Sequence, residues 1–213
     1  NNSSLLLKYV DHSSNAIGNG VNETVITLKD DKYPVTVKLH YVAYGKENII
    51  RAFSEISHEE KKPVILCKYA SSMLHLNSSK YFLTEFSGDW AHEANVTERE
   101  LAFGKKVIDT KLGARANMFV APFFQLALDN PSQENAGEVL VGTIGWTGNF
   151  RFTFEVDNKN ELRIISGINP YDSEYSLPAK EVFRTPDFYF TYSTQGKGEA
   201  SRNFHDWARN HQV

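Results

Sequence analysis

Side chains able to do chemistry gather at three turns. Gly88-Asp89-Trp90-Ala91-His92-Glu93, Gly145-Trp146-Thr147-Gly148-Asn149-Phe150 and Gly167-Ile168-Asn169-Pro170-Tyr171-Asp172 each set a glycine beside an indole or phenol and an amide or carboxylate. Planar rings stack on the apolar faces of sugars while neighbouring polar groups bond the hydroxyls. Trp90, His92, Glu93, Trp146, Asn149, Asn169, Tyr171 and Asp172 are therefore a set suited to carbohydrate contact. In an all-β domain the same large rings also serve as core or corner plugs, and residue types alone leave both roles open.

Catalysis finds less support. No Gly-x-Ser-x-Gly nucleophile elbow occurs. Cys67 lies in the apolar run Val64-Ile65-Leu66-Cys67, where a free cysteine is expected to be a small buried hydrophobe. The histidines, at 12, 40, 58, 75, 92, 205 and 211, lack the i, i+4 pairing of a helical zinc site, and His40 and His75 read as ordinary strand residues. The Asp157-Asn158-Lys159-Asn160 cluster lacks the ligand spacing and central glycine of a calcium loop. No metal and no cofactor are expected. Carboxylates are plentiful, but a glycosidase needs two held across a cleft at roughly 5–10 Å, which spacing in sequence does not establish.

The frame that would hold the turns reads as strands. Across 213 residues, 41% hydrophobic with a formal charge of −3, there is enough apolar surface for a core, which excludes disorder, and no basic footprint for nucleic acid. No apolar run approaches the roughly 18–20 residues of a membrane-spanning helix, so no membrane partner is expected. Val35, Val37, Leu39, Tyr41 and Ala43 alternate with Thr36, Lys38, His40, Val42 and Tyr44, the period of a half-buried strand. Further β-rich runs cover 49–56, 63–76, 80–86, 118–128, 138–144, 149–156, 161–168 and 187–192. This spacing predicts an all-β sandwich, with 150–156 and 161–165 forming a hairpin. The loosest stretches are 10–23 and 101–112, the second an expected excursion from the sheet. Helical period occurs only at the end, where Ala200, Phe204, Trp207, Ala208 and His211 make one apolar stripe. Gly196-Lys197-Gly198 opens that helix without a third glycine or a following acidic ribose partner, which excludes dinucleotide binding and leaves a strand-to-helix exit.

The motifs also have an order. Gly88-x-Trp90-x-x-Glu93, Ala121-Pro122-Phe123, Gly137-Glu138-Val139, Thr147-Gly148-Asn149-Phe150, Gly167-Ile168-Asn169-Pro170-Tyr171-Asp172 and Thr185-Pro186-Asp187 are followed by Tyr192-Ser193-x-x-Gly196 and Ser201-x-x-Phe204-His205. Together they resemble the amino-terminal domain of α-galactosidases of glycoside hydrolase family 36, from about Val35 to the last helix; residues before about Val21 carry no recognisable motif. The resemblance implies an antiparallel β-supersandwich, galactose mutarotase-like in style, with one C-terminal helix. In that family it precedes a (β/α)8 catalytic barrel and a small carboxy-terminal β-domain. It also implies retaining hydrolysis of terminal α-galactosides by two aspartates, one within Lys-Trp-Asp. Here Trp90, Trp146 and Trp207 precede Ala, Thr and Ala, so the nucleophile motif is absent and no catalytic residue is assigned. The chain departs from the family pattern at His92, where Arg is usual, and at Ala114-Arg115-Ala116-Asn117 and Ala121-Pro122-Phe123, where a Ser- and His-containing stretch precedes Asn-Pro-Phe. Both departures touch loops expected to face the barrel or a neighbouring subunit.

The expected organisation is one β-sandwich domain over 1–213, incomplete at its front, with 196–213 as a terminal helix leading towards the barrel and Phe204 and Trp207 as its docking residues. The leading expectation is a non-catalytic domain of an α-galactosidase, serving as scaffold and as barrel or oligomer interface. Its expected partners are the protein's own catalytic barrel, the α-galactoside substrate and further copies of itself. One alternative is a stand-alone carbohydrate-binding module, which requires Trp90, Trp146 and Tyr171 to be an exposed strip. Another is a purely structural assembly domain, which requires an exposed apolar patch around Phe204 and Trp207. The resemblance favours a cytoplasmic location. Sequons at Asn22, Asn77 and Asn95 keep a periplasmic or secreted one open.

Overall fold

A computed structural model of the chain describes residues 5–116 and 118–212. The opening Asn1-Asn2-Ser3-Ser4, Asn117 of the 114–117 departure and Val213 lie outside the described residues. The strands are β1 (Leu7–Gly18), β2 (Val21–Asp30), β3 (Val35–Tyr44), β4 (Ile49–His58), β5 (Val64–Leu66), β6 (Ser72–Asn77), β7 (Tyr81–Ser87), β8 (Asn95–Glu100), β9 (Gly104–Asp109), β10 (Val120–Leu128), β11 (Glu138–Gly145), β12 (Phe150–Val156), β13 (Glu161–Ile168), β14 (Tyr175–Leu177), β15 (Val182–Arg184) and β16 (Asp187–Ser193). Among the described residues there is one α-helix, α1 (Gly196–His211), and one 3-10 turn, Gly113–Arg115.

The fold is an antiparallel β-sandwich with one C-terminal helix. A ten-stranded sheet runs β1-β2-β3-β4-β16-β11-β10-β7-β8, with β15 also on β4; a four-stranded sheet runs β6-β13-β12-β9; β14 and β5 form a small ribbon. Every pairing between these strands is antiparallel. Between the two large layers lie Tyr81, Leu83, Phe124, Leu126, Leu140 and Phe188 from one sheet and Ile108, Phe150, Phe152, Phe154, Leu162 and Ile164 from the other. Each of the larger side chains contributes roughly 1.5–3 kcal/mol on burial. Phe150, Phe152 and Phe154 alternate inward along β12, the period that the sequence displays. Gly142 is needed at the layer's centre, because a Cβ there would stand 2.6 Å from the Phe124 ring.

The helix lies on the other face of the ten-stranded sheet. Trp207 is only 7% exposed, among Val21, Val42, Tyr44, Ile49 and Phe53. Ala200 is buried with Ala127, Val139 and Val141, and Phe204 packs against both clusters. Phe204 and Trp207 are thus covered by their own sandwich, which corrects the exposed apolar patch expected around them. The same helix buries Val42 and Tyr44, the intervening set of the β3 alternation, so that strand is covered on both faces at its C-terminal end. Gly196 has φ +80° and a Cβ there would stand 2.5 Å from the Gln133 carbonyl, so the strand-to-helix exit requires glycine. At the far end of α1, burial opposes ionisation of Glu47, but the Asn210 amide (2.8 Å) and His211 (3.4 Å) hold its carboxyl below the usual range.

Three local expectations are corrected. Residues 10–23, expected to be loose, form most of the β1–β2 hairpin; β1 is exposed on both faces, so no alternation marks it. The 101–112 excursion contains β9, an edge strand of the small sheet. The 63–76 run breaks at 67–71 into β5 and β6, which belong to different sheets, and Cys67 in the break is exposed rather than buried. The β12–β13 hairpin forms as expected, with Asn160 at φ 62° in its turn. No helix is long and apolar enough to cross a membrane among the described residues.

Candidate functional site

Antiparallel registry sends all three chemistry-bearing turns to one end of the sandwich. β7 and β11 end there and β8, β10, β12 and β16 begin there, while β9 and β13 end beside them. The loops after β7, β9, β11 and β13 are therefore neighbours. Specific bonds link them. The Gly88 N–H donates to the Phe119 carbonyl at 3.0 Å, joining the Trp90 turn to the segment before β10. The Gly113 N–H donates to Asn149 Oδ1 at 2.7 Å, and the Asn169 N–H to the Asn149 carbonyl at 2.9 Å.

Asn169 is the hub of this end. Only 1% exposed, it donates through Nδ2 to the Thr110 carbonyl (2.9 Å) and to Asp109 Oδ2 (3.3 Å), and accepts at Oδ1 from the Tyr171 N–H (3.1 Å). Arg151 donates through Nε and Nη2 to the same Asp109 oxygen, at 3.0 and 2.7 Å. The Asn169 amide, expected to face a sugar or the barrel, is thus turned inward on the scaffold, while the partly buried Asn149 accepts through Oδ1 from the Gly113 N–H. A buried amide left without such partners would cost about 1–3 kcal/mol, which is why asparagine sits where three loops converge.

The rings behave differently. Trp90 is 87% exposed, Tyr171 60% and Trp146 41%, so none is a core plug. Trp146 lies over Gly148, where a Cβ would come within 2.8 Å of its indole nitrogen. Lys111 Nζ sits 4.5 Å from the Tyr171 ring centre, a cation–π contact that covers one face of that ring. His92, Glu93 and Asp172 are exposed. Leu112, Met118 and Phe119 are exposed at the same end; Met118 and Phe119, expected within the 118–128 strand, precede it, since β10 begins at Val120. A shallow cleft of about 420 Å³ opens beside Tyr171, lined by Cys67, Lys68, Pro170, Asp172, Ser173 and Glu174. No group of three or more His, Cys, Asp or Glu side chains is placed to hold a metal ion among the described residues.

This end can offer flat apolar contact and hydrogen bonding on a rigid base.

Comparison with known proteins fixes the family. The family model described as "Glycosyl hydrolase family 36 N-terminal domain" matches residues 2–178. The chain belongs to the glycosyl hydrolase family 36 N-terminal domain family. The match begins well upstream of Val35, where the motif resemblance starts, and takes in the β1–β2 hairpin. Alpha-galactosidase AgaA of Geobacillus stearothermophilus is 30% identical over 94% of this chain and 27% of its own length. Alpha-galactosidase 2 of Hypocrea jecorina is 28% identical over 91% of this chain and 26% of its own length. The crystal structure of the family 36 enzyme AgaA superposes with a TM-score of 0.89 at 27% identity, over 97% of this chain and 30% of that one. The chain therefore spans about a quarter of the length of the curated family 36 relatives it matches.

Proposed function

We propose that this domain is the non-catalytic amino-terminal part of a retaining α-galactosidase, acting as scaffold and as an interface for the catalytic part and for other copies. The observation that carries the reading is the mismatch of lengths: almost all of this chain corresponds to little more than a quarter of AgaA. In the whole protein, an aspartate outside these residues attacks the anomeric carbon as a second carboxylic acid protonates the departing oxygen. Water, deprotonated by that same residue, then releases the sugar from the covalent intermediate. Structures of AgaA variants in complex with stachyose and with raffinose support terminal α-galactosides as the substrate class. The loop end, with rigid amides beneath exposed rings, suits a surface that meets another part of the enzyme. The test is hydrolysis of p-nitrophenyl α-galactoside by the 213-residue chain and by the intact gene product. Turnover by the intact product alone is expected, and turnover by the 213-residue chain overturns the reading.

The exposure of Trp90, Trp146 and Tyr171 favours a second reading, direct sugar contact at the same end. Tryptophan fluorescence titrated with galactose and raffinose tests it, and an unchanged spectrum at millimolar sugar removes it.

A further inference from the structure

The helix covers only part of the ten-stranded sheet's outer face. Alongside it, towards the loop end, lies a patch of charged side chains arranged around Phe53. The imidazole of His40 stacks on Phe53 with ring centres 4.4 Å apart and planes within 10°. The Arg184 guanidinium lies 3.9 Å from the same ring centre and donates to Asp187. Asp187 also accepts from the Tyr189 hydroxyl at 3.2 Å. Glu23, on β2, and Glu55, on β4, flank His40 at 3.0 and 3.4 Å. Each group is thus held by another before anything docks.

We propose that this patch is the surface on which the catalytic part of the same polypeptide docks, an inference that rests on the function proposed above. Four observations support it. First, Phe53 is buried and His40, Glu23, Glu55 and Asp187 are partly buried, and these side chains, with the exposed Arg184, are cross-linked by their own contacts, so little rotamer freedom remains to be lost on association. Second, Arg51, Arg184 and Lys38 balance Glu23, Glu55 and Asp187 in formal charge, which suits a mixed protein surface and not a polyanion. Third, the last turn of α1 ends on this face: His211 meets the Tyr44 ring at 4.7 Å, and Tyr44 lies four residues along β3 from His40, about 13 Å. Fourth, the relatives' remaining length, nearly three quarters of AgaA, is ample to cover it.

The test reads the patch directly. Lys38 is exposed, faces the patch two residues from His40 and makes none of the contacts just described. In a Cys67→Ser background, the thiol of a Lys38→Cys variant is labelled with a maleimide in both the 213-residue chain and the intact gene product. Labelling at least about tenfold slower in the intact product is expected, the ratio for a site covered nine-tenths of the time. Equal rates overturn the proposal, and if p-nitrophenyl α-galactoside is still hydrolysed the proposed function survives that failure. Equal rates without hydrolysis overturn both. Protection that already appears in the 213-residue chain and grows with its concentration makes a second copy the occupant and also overturns the proposal. Arg184→Glu in the intact product should restore fast labelling while the 213-residue chain carrying it keeps its thermal midpoint; continued protection counts against the patch.

Discussion

The two ends of the sandwich are built from similar turn residues and do opposite things with them. At the end where β6 meets β7 and β12 meets β13, polar side chains fold back on the backbone. Asp129 Oδ1 accepts from the hydroxyls of Ser78 and Ser79 and from the Ser79 N–H, while Asp157 Oδ1 accepts from the N–H groups of Lys159 and Glu161. Asn160 Nδ2 donates to the carbonyls of Ser78 and Ser79, and the Tyr81 hydroxyl donates to the carbonyls of Leu76 and Asn160. At the loop end some polar side chains also turn inward, Asn169 onto the Thr110 carbonyl and Arg151 onto Asp109, but Trp90, Trp146 and Tyr171 stay exposed. Closed turns serve stability, and a rigid base under free rings serves contact. Trp207 and Trp90 show the contrast within one residue type.

That contrast predicts unequal responses to the same kind of substitution. The largest effect should come from Trp207→Ala, which empties the pocket among Tyr44, Ile49 and Phe53 and releases α1 from the sheet. A loss of about 3–5 kcal/mol is expected from urea unfolding. A loss below about 1 kcal/mol would mean that the helix is not held to the sheet by its own indole.

Asn169→Ala should rank second. It strips partners from the Thr110 carbonyl and the Tyr171 N–H in a buried position, with an expected cost of about 1–3 kcal/mol. Unlike Trp207→Ala, it should also loosen the loop end. Faster amide exchange across 110–116 and 169–172, with the β12–β13 hairpin unchanged, is the diagnostic pattern. Uniform loosening would deny Asn169 its place as the hub of that end.

The closed end should announce itself in acid. Hydrogen bonds from the Ser78 and Ser79 side chains, joined by backbone N–H groups, hold Asp129 below the usual carboxylate range, and backbone N–H groups from Glu161 and Lys159 do the same for Asp157. A carboxyl whose folded pKa is depressed contributes stability that is fully present above its unfolded pKa and is lost as pH falls through the folded one. Stability should therefore decline below the ordinary carboxylate range. Asp129→Asn should flatten that decline while lowering stability at neutral pH. An unchanged acid limb measured by thermal unfolding from pH 6 to pH 3 would remove Asp129 from the account.

What the sequence displayed and what it hid follow from the same physics. β3, β12 and β13 were legible because one or both faces are buried and inward residues recur at every second position. The β1–β2 hairpin was not, since β1 has both faces in solvent and its order comes from pairing with β2 alone. The helix was legible in extent, but its stripe did not say what it would cover. The loop end was legible as three separate turns; their convergence depends on registry between strands far apart in sequence. Nothing local distinguished an amide turned inward, Asn169, from a ring turned outward, Tyr171, two positions along the chain.

The smallest stability effect should belong to Trp90→Ala. An 87% exposed indole leaves little apolar area to lose on truncation, so unfolding should shift by no more than about 0.5 kcal/mol. If Trp90 serves contact, its effect must surface elsewhere. The intact gene product carrying the substitution should keep its unfolding midpoint and yet change in hydrolysis of p-nitrophenyl α-galactoside, in its sedimentation, or in both, according to whether the ring meets the catalytic part or another copy. Hydrolysis and sedimentation both at wild-type level would mean that solvent exposure at this end is only exposure, and that Trp90 differs from Trp207 by lacking a role as well as by lacking cover.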